Sequence, residues 1–339
     1  MKKQDFKIRY SEIAKLAGVS KSTVSRVFNH PNKVSENTKK IVFDVVNKLN
    51  YRPNMIARSL RVDKTNTIGI IIPDITNSFF SELVKGVQTE GHKNSYMVLI
   101  GNSFENAEME NEIVYSFLSR KVDGLIIVTT SSYPNYLKDL FVPTIFVDRL
   151  INDISFPQIT SNNEKGGYLG MKHLLFEKNR KNILIVHGPL KFSNIPRRLE
   201  GCKQAFEEFN RLNSADRETA KMETLELSTV SVRAGEYVGD HILKNSTDFD
   251  AIFALSDLIA IGILKKIKRY RKIGKEISIL GYDDIKEDKY VEPELSSVKQ
   301  EKSGMGKRAF KLFMSVLKGE KLENSNIILP VEVMKRRTS

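Results

Sequence analysis

Apolar residues in the first fifty positions recur at helical spacing. Ile13, Ala14, Leu16 and Ala17 share a face of the stretch Ser11 to Ala17, and Val24 and Val27 share a face of Lys21 to Phe28. Ile41, Val42, Val45, Val46 and Leu49 make a stripe from about Glu36 to Leu49. Three short amphipathic helices closing one small core are predicted, with Tyr51 packed beneath the third. Ser20 and Ser35 stand where N-caps belong, each hydroxyl placed to accept an orphan backbone N–H. Gly18 gives the permissive backbone for a tight turn, and Val19 plugs the corner between the first two helices.

From Thr67 the rhythm changes. Ile68–Ile72, Met97–Ile100, Gly124–Val128 and Thr144–Val147 are short apolar runs typical of buried parallel strands, with helical stretches near 80–94, 106–120 and 133–140. The alternation restarts with Ile183–Val186, Ala251–Ala254 and Ile277–Leu280. Two successive sets predict an all-α helix-turn-helix headpiece followed by an α/β core of two doubly wound lobes with a crevice between them. The expected divisions are a headpiece over 1–52, a linker over 53–65, a first lobe of 66–159 with 301–322, and a second of 160–300 with 323–339. The last helix, about Gly304 to Lys318, returns to the first lobe in this scheme. Pro53-Asn54 breaks the headpiece pattern, and the amphipathic Met55–Arg61 is too short for a stable helix alone.

Charge sharpens the picture. Residues 1–65 hold 15 Lys and Arg against 5 Asp and Glu, a net of +10, whereas the whole chain carries +13 and the other 274 residues only +3. An excess confined to the helical headpiece suits phosphate contacts on nucleic acid. The second predicted helix turns polar groups outward: Lys21, Ser22, Thr23, Ser25, Arg26 and Asn29, with Ser20 at its start. Ser22 and Arg26, four apart, project from one face, as a helix read against the major groove requires. No apolar run has membrane-spanning length, the basic first ten residues lack the apolar core of a signal peptide, and the one cysteine, Cys202, suits a reducing cytoplasm.

The run Ile13-Ala-Lys-Leu-Ala-Gly-Val-Ser20 followed by Ser22-Thr-Val-Ser-Arg26 closely resembles the LacI/GalR family of bacterial transcription regulators, including its ribose- and sucrose-type sugar-responsive repressors. The resemblance extends through Pro53–Leu60, Pro73–Phe80 and Gly281–Asp284 and covers essentially the whole chain. It implies a homodimer on a pseudo-palindromic double-stranded operator. It also implies a hinge helix whose Leu60 wedges into the minor groove, with Ala57 on the same surface, where a passive linker is the alternative. The core then resembles periplasmic sugar-binding proteins, with lobes that close on a small-molecule effector, a sugar or sugar phosphate.

Open α/β sheets bind ligands beyond the carboxyl ends of their strands, and polar residues cluster there. Asn77, Phe79 and Phe80 follow the first core strand, Asp148 and Arg149 end the fourth, and Ser256 and Asp257 follow Ala251–Leu255. Asp283 follows the strand that begins at Ile277, and Gln300 lies at the lobe crossing. The resemblance adds Arg198 as the arginine directed at the effector. One of the two phenylalanines is expected to be core, and Asp257 is equally a helix cap. Ser256 stands where relatives often carry asparagine, no aromatic falls at Leu227–Ser231, and Phe192 replaces a basic residue, which disfavours a purine.

The five histidines and Cys202 show no metal-ligand spacing, and Gly166-Gly167-x-x-Gly170 is a weak phosphate-loop lookalike inside a helical pattern. No G-x-S-x-G or G-x-x-x-x-G-K-[ST] occurs. The sequence therefore reads as a cytoplasmic, effector-controlled repressor of a carbohydrate operon, with no catalytic residues, metal or cofactor. The rivals are a global carbon regulator tuned by a phosphocarrier protein, and a sugar-binding module without DNA function. Deleting residues 1–65 is expected to leave a folded dimer that binds effector but no DNA. Residual operator affinity in a gel-shift titration would place the DNA contacts elsewhere.

Overall fold

The computed structural model describes residues 10–49, 51, 64–214, 219–245, 248–269, 277–322 and 324–339. Two compact units emerge, Met1–Thr65 and Asn66–Ser339. In the first, α1 (Tyr10–Ala17), α2 (Lys21–Asn29) and α3 (Glu36–Lys48) close a core of Ile13, Ala14, Ala17, Val24, Val27, Val42 and Val46. Tyr10, Phe28 and Tyr51 stack beside it, which places Tyr51 against the core as expected. Leu16 and Ile41 depart from the predicted stripes, being 58% and 41% exposed. Ile13 with the valines and alanines fills this small core, and Leu16 and Ile41 face outward.

The second unit holds two six-stranded sheets. The first is built from β1 (Thr67–Ile72), β2 (Met97–Asn102), β3 (Gly124–Ile127), β4 (Thr144–Val147), β5 (Gln158–Ser161) and β11 (Asn326–Leu329), in the order β11-β5-β4-β3-β1-β2. The second uses β6 (Asn182–His187), β7 (Lys221–Glu226), β8 (Ala251–Ala254), β9 (Ser278–Asp283), β10 (Ser296–Gln300) and β12 (Val331–Met334), ordered β12-β10-β9-β8-β6-β7. All described pairings are parallel except β10 with β12. Helices α4 (Ser78–Lys93) and α5 (Ala107–Ser119) flank the first sheet. The second is flanked by α6 (Asn163–Lys172), α7 (Asn194–Leu212), α8 (Val232–Lys244) and α9 (Asp257–Arg269).

The chain passes between lobes after β5, after β10 and between β11 and β12. The middle passage delivers α10 (Lys302–Leu317) to the first lobe, where Met305, Phe310 and Phe313 join the core of Ile68, Ile70 and Leu83. The expected lobe limits need two corrections. β5 runs to Ser161 in the first sheet, and β11 also pairs there, so residues 323–339 do not all belong to the second lobe. The stretch 133–140, expected to be helical, is one 3-10 turn at Asn135–Asp139 that begins after Pro134.

Helices α6 and α7 cross at glycines. A Cβ on Gly167 would overlap the carbonyl of Arg198, and one on Gly201 would overlap the carbonyl of Glu164. Gly167 and Gly170 are thus packing residues, the latter against Phe253, rather than parts of a phosphate loop. Because only backbone can yield at the crossing, Gly201→Ala should destabilise the core by about 1–3 kcal/mol, as overpacking does. Urea denaturation of the core unit should show it as a lower midpoint at unchanged slope, whereas an unshifted midpoint would mean the helices part freely.

Candidate functional site: a DNA-reading helix and an interlobe cavity

In the headpiece, Gly18 adopts the left-handed backbone (φ +64°) that its turn needs. Ser20 caps α2: its hydroxyl accepts from the Thr23 N–H at 3.0 Å and lies 2.7 Å from the Ser22 hydroxyl. Val24 and Val27 face inward, while Lys21, Ser22 and Arg26 are exposed and Thr23 and Ser25 half-buried. Asn29 ends the helix. Lys21, Ser22 and Arg26 thus face outward, and Ser20 serves the helix as its cap. Ala57 and Leu60 lie outside the described residues. Among the exposed groups, Arg26 has the fork of donors that matches guanine O6 and N7. Arg26→Ala is expected to weaken operator binding by about 1–3 kcal/mol while barely changing affinity for random DNA. Equal losses on both, in fluorescence-anisotropy titrations, would make it a phosphate contact.

In the core, a cavity of about 340 Å³ opens between the lobes at the carboxyl ends of both sheets. That is near the lower end of the roughly 300–1,000 Å³ usual for small-molecule sites. From the first lobe come Asp74, Asn77, Phe79, Phe80, Glu105, Asp148 and Arg149. Lys191, Phe192, Asn194, Arg198, Ser256 and Asp283 come from the second, with Ser228–Val230 beyond β7. Asn77 caps α4 through Phe79 N–H at 3.0 Å, and Phe79 and Phe80 meet edge to face at 5.2 Å. Both rings belong to the first-lobe core and both reach the cavity wall, so the expected division of roles between them does not hold.

Two buried guanidiniums organise the walls. Arg149 donates from Nη2 and Nη1 to the two oxygens of Glu105, at 2.7 and 2.8 Å, and from Nη1 to the Thr129 carbonyl at 3.1 Å. The Phe192 ring covers its face, centroid 3.7 Å from Cζ. Arg198 donates from Nε to Asn163 Oδ1 at 2.8 Å and from Nη1 to the Leu255 carbonyl at 2.7 Å. Its Nη2 lies 3.7 Å from Asp283 Oδ1, and Tyr282 packs on its face.

Asp148 and Asp283 both stand in the left-handed region, at φ +66° and +117°. Such backbone costs a non-glycine residue on the order of 1–3 kcal/mol and clusters at functional sites. Here it turns two carboxylates from strand ends into the crevice. Asp148 Oδ2 accepts from Asn194 Nδ2 across the lobes at 3.2 Å. Burial pushes both carboxyls up, that of Asp283 to about 7, while Arg198 pulls both down.

Asp257 and Gln300 do not line the cavity. Asp257 begins α9, fully buried, and accepts from the Ser297 hydroxyl at 2.7 Å and the Ile285 N–H at 3.0 Å, so it ties the helix start to β10 and to the loop after β9 rather than capping the helix. Beside it, burial and the neighbouring Asp257 carboxylate push the Asp288 carboxyl up, and burial raises that of Asp257 as well. Gln300 stands one layer back, donating from Nε2 to Asp283 Oδ1 at 2.7 Å. Ser256 does reach the wall, with its hydroxyl 3.4 Å from Asp283 Oδ2. Sequence reasoning did not select Asp74, Glu105, Lys191 or Asn194 as ligand contacts, although each follows a strand's carboxyl end as the selected residues do, while Phe192 and Ser228–Val230, weighed only through the resemblance, also line the cavity. Among the described residues no cluster of three metal-ligating side chains occurs, and no helix is long and apolar enough to cross a membrane.

A DNA-reading helical unit joined to a two-lobed α/β sensor with a polar cavity defines a ligand-responsive transcription regulator. Residues 10–54 match the family model for bacterial regulatory proteins of the lacI family, and residues 65–337 match that for periplasmic binding proteins and the sugar-binding domain of the LacI family. The chain belongs to the LacI family. It is 32% identical over 328 residues to a ribose operon repressor of Lactococcus lactis, covering 96% of each chain. It is 30% identical over 333 residues to the transcriptional repressor PurR of Vibrio atlanticus, covering 96% of this chain and 97% of the other. Its fold matches the lac repressor dimer bound to operator and an anti-inducer, with a TM-score of 0.81, 25% identity and 98% of both chains covered. A LacI-family regulator from Enterococcus faecium with bound ribose aligns at a TM-score of 0.70 and 27% identity, covering 80% of this chain and 98% of the other.

Proposed function

We propose that this protein is a cytoplasmic repressor of a carbohydrate-utilisation operon, released or engaged by a sugar or sugar phosphate held between its lobes. The observation that carries this reading is a cavity walled from both lobes by paired arginines and carboxylates, with Asp148 of one lobe already bonded to Asn194 of the other. Carboxylate acceptors and aromatic faces at one site suit a pyranose or furanose, whose hydroxyls donate and whose C–H face is apolar. The relatives named for ribose repression and the ribose-bound neighbour support a pentose as the first ligand to try. The PurR relative makes a purine the alternative. Phe192, stacked on Arg149 where a basic residue would serve a purine, argues against that alternative.

In this reading Lys21, Ser22, Ser25, Arg26 and Asn29 contact the operator, and Ala57 and Leu60 act at its centre. The active species is a homodimer on a pseudo-palindrome. The ligand acts by binding two lobe arrangements unequally, which typically couples sites by about 1–3 kcal/mol.

Asp283 is the residue on which the sensor is best tested. Asp283→Ala should leave operator affinity intact and abolish the effector's influence on it, in anisotropy titrations with and without D-ribose. In the wild type, hydroxyl donors need the ionised carboxylate. That form dominates above pH 7 and is lost as pH falls through about 7. Ligand affinity should therefore weaken about tenfold between pH 8 and pH 6 by calorimetry. An unchanged ligand response in Asp283→Ala would move the effector out of the crevice.

A further inference from the structure

We propose, resting on the regulatory reading above, that the crevice selects an unphosphorylated sugar over its phosphate ester and that Glu105 enforces the choice. A phosphate in a buried site needs a guanidinium or ammonium with donors to spare. On Arg149 the terminal fork that a phosphate would engage is taken by both oxygens of Glu105 and by a carbonyl, and its face is covered by Phe192, which leaves only the buried Nε without a partner. Arg198 donates from Nε to Asn163 and from Nη1 to the Leu255 carbonyl, and its Nη2 is paired in charge with Asp283 at 3.7 Å. Lys191 is exposed on the cavity's margin, against the Phe192 ring. The lining sets four carboxyl groups against these three cations, so above pH 7, where Asp283 is ionised, a phosphate dianion would find no net positive charge to offset the cost of leaving water.

The same walls hold acceptors that lack donors. Asp148 Oδ1 and Asn194 Oδ1 are buried and receive no hydrogen bond from the described residues. They belong to opposite lobes whose side chains already touch, so hydroxyls of one small ligand can satisfy both. Buried acceptors left without donors are costly, which makes a donor-rich neutral ligand the complement of this site.

Glu105 is held for this purpose at some expense. Phe104 and Glu105 are consecutive non-glycine residues in the left-handed region, at φ +54° and +56°, with the Phe104 ring 72% exposed. The helix that follows is capped by Asn106, not by Glu105. The bidentate pair with Arg149 is therefore the interaction that this strained loop secures, and it removes a phosphate-binding fork from the cavity.

The test is calorimetry on the full-length protein with D-ribose, D-xylose and D-glucose, each beside its 5- or 6-phosphate, using wild type and Glu105→Gln. The glutamine keeps the side chain's shape and removes its charge, and the 39% exposure of the Glu105 side chain makes the replacement tolerable to the fold. The wild type is expected to bind one free sugar on the order of a hundredfold more tightly than its phosphate. Glu105→Gln should narrow that ratio about tenfold, mainly by gaining affinity for the phosphate. A wild type that prefers the phosphate, or a ratio unmoved by Glu105→Gln, overturns the proposal and leaves the sugar-regulator reading standing. Silence of the wild type towards all six compounds overturns that reading, and the proposal with it.

Discussion

Arg198 is buried and charged, and an ionised guanidinium in that position without partners would cost several kcal/mol. Much of the second lobe's local geometry meets that demand. Helices α6 and α7 must approach until Asn163 can reach Nε, which is why glycine stands at positions 167 and 201. The end of β8 must present the Leu255 carbonyl, and β9 must end in the left-handed turn that brings Asp283 near. Tyr282 then covers the guanidinium face. One electrostatic constraint thus links backbone conformation at a strand end to helix packing on the sheet's far side, and both to the ligand wall.

The first lobe repeats the arrangement with different pieces. Arg149 has Glu105, the Thr129 carbonyl and, from the other lobe, Phe192. Ser78 in turn donates to Glu287 at 2.6 Å, and Ile285 of the second lobe lies within the first lobe's core. The lobes therefore meet through contacts that mix ionic, aromatic and apolar terms. A change of interlobe angle must break several of them together, which favours two discrete arrangements over a continuum. A ligand that bridges Asp148 and Asn194 would act on that balance directly.

The strands legible in the sequence were the ones buried on both faces, such as Ile68–Ile72 and Ala251–Ala254, because continuous apolar runs have few other readings. β7, with the sequence KMETLE, is an almost wholly exposed edge strand and carries no such signal. The loop Ser228–Val230 that follows it was placed near the ligand only through the family resemblance, and it lines the cavity without an aromatic ring. β5 fails for the opposite reason: Gln158, Thr160 and Ser161 are buried, yet their polarity hides it, since Gln158 and Thr160 are satisfied by bonds to the Ile151 and Asp148 carbonyls that no apolar pattern marks. At the site, Asp148, Arg149, Arg198 and Asp283 were legible from strand ends and motif. Glu105 and Asn194 obey the same positional rule, but their importance lies in partners far along the chain, which no local pattern reveals. Asp257 and Gln300 were over-read because a polar residue at a strand end can serve the loop behind it as readily as the cavity in front.

The threefold passage of the chain between lobes has a consequence for synthesis. The first lobe begins at β1 but lacks its central helix until α10 is made, after the whole run of second-lobe elements from α6 to β10. Phe310 and Phe313 fill the space against Tyr96 and the glycine at 124, so the early strands emerge with an apolar face uncovered. The second lobe in its turn waits for β12, which pairs with β10 only after β11 has joined the first sheet. Neither lobe can mature while the other is still on the ribosome. Contacts of such long sequence separation fold slowly and leave exposed strands open to wrong partners. Production of this protein should accordingly be limited less by the stability of its finished core than by how long the unfinished first sheet is kept from its neighbours.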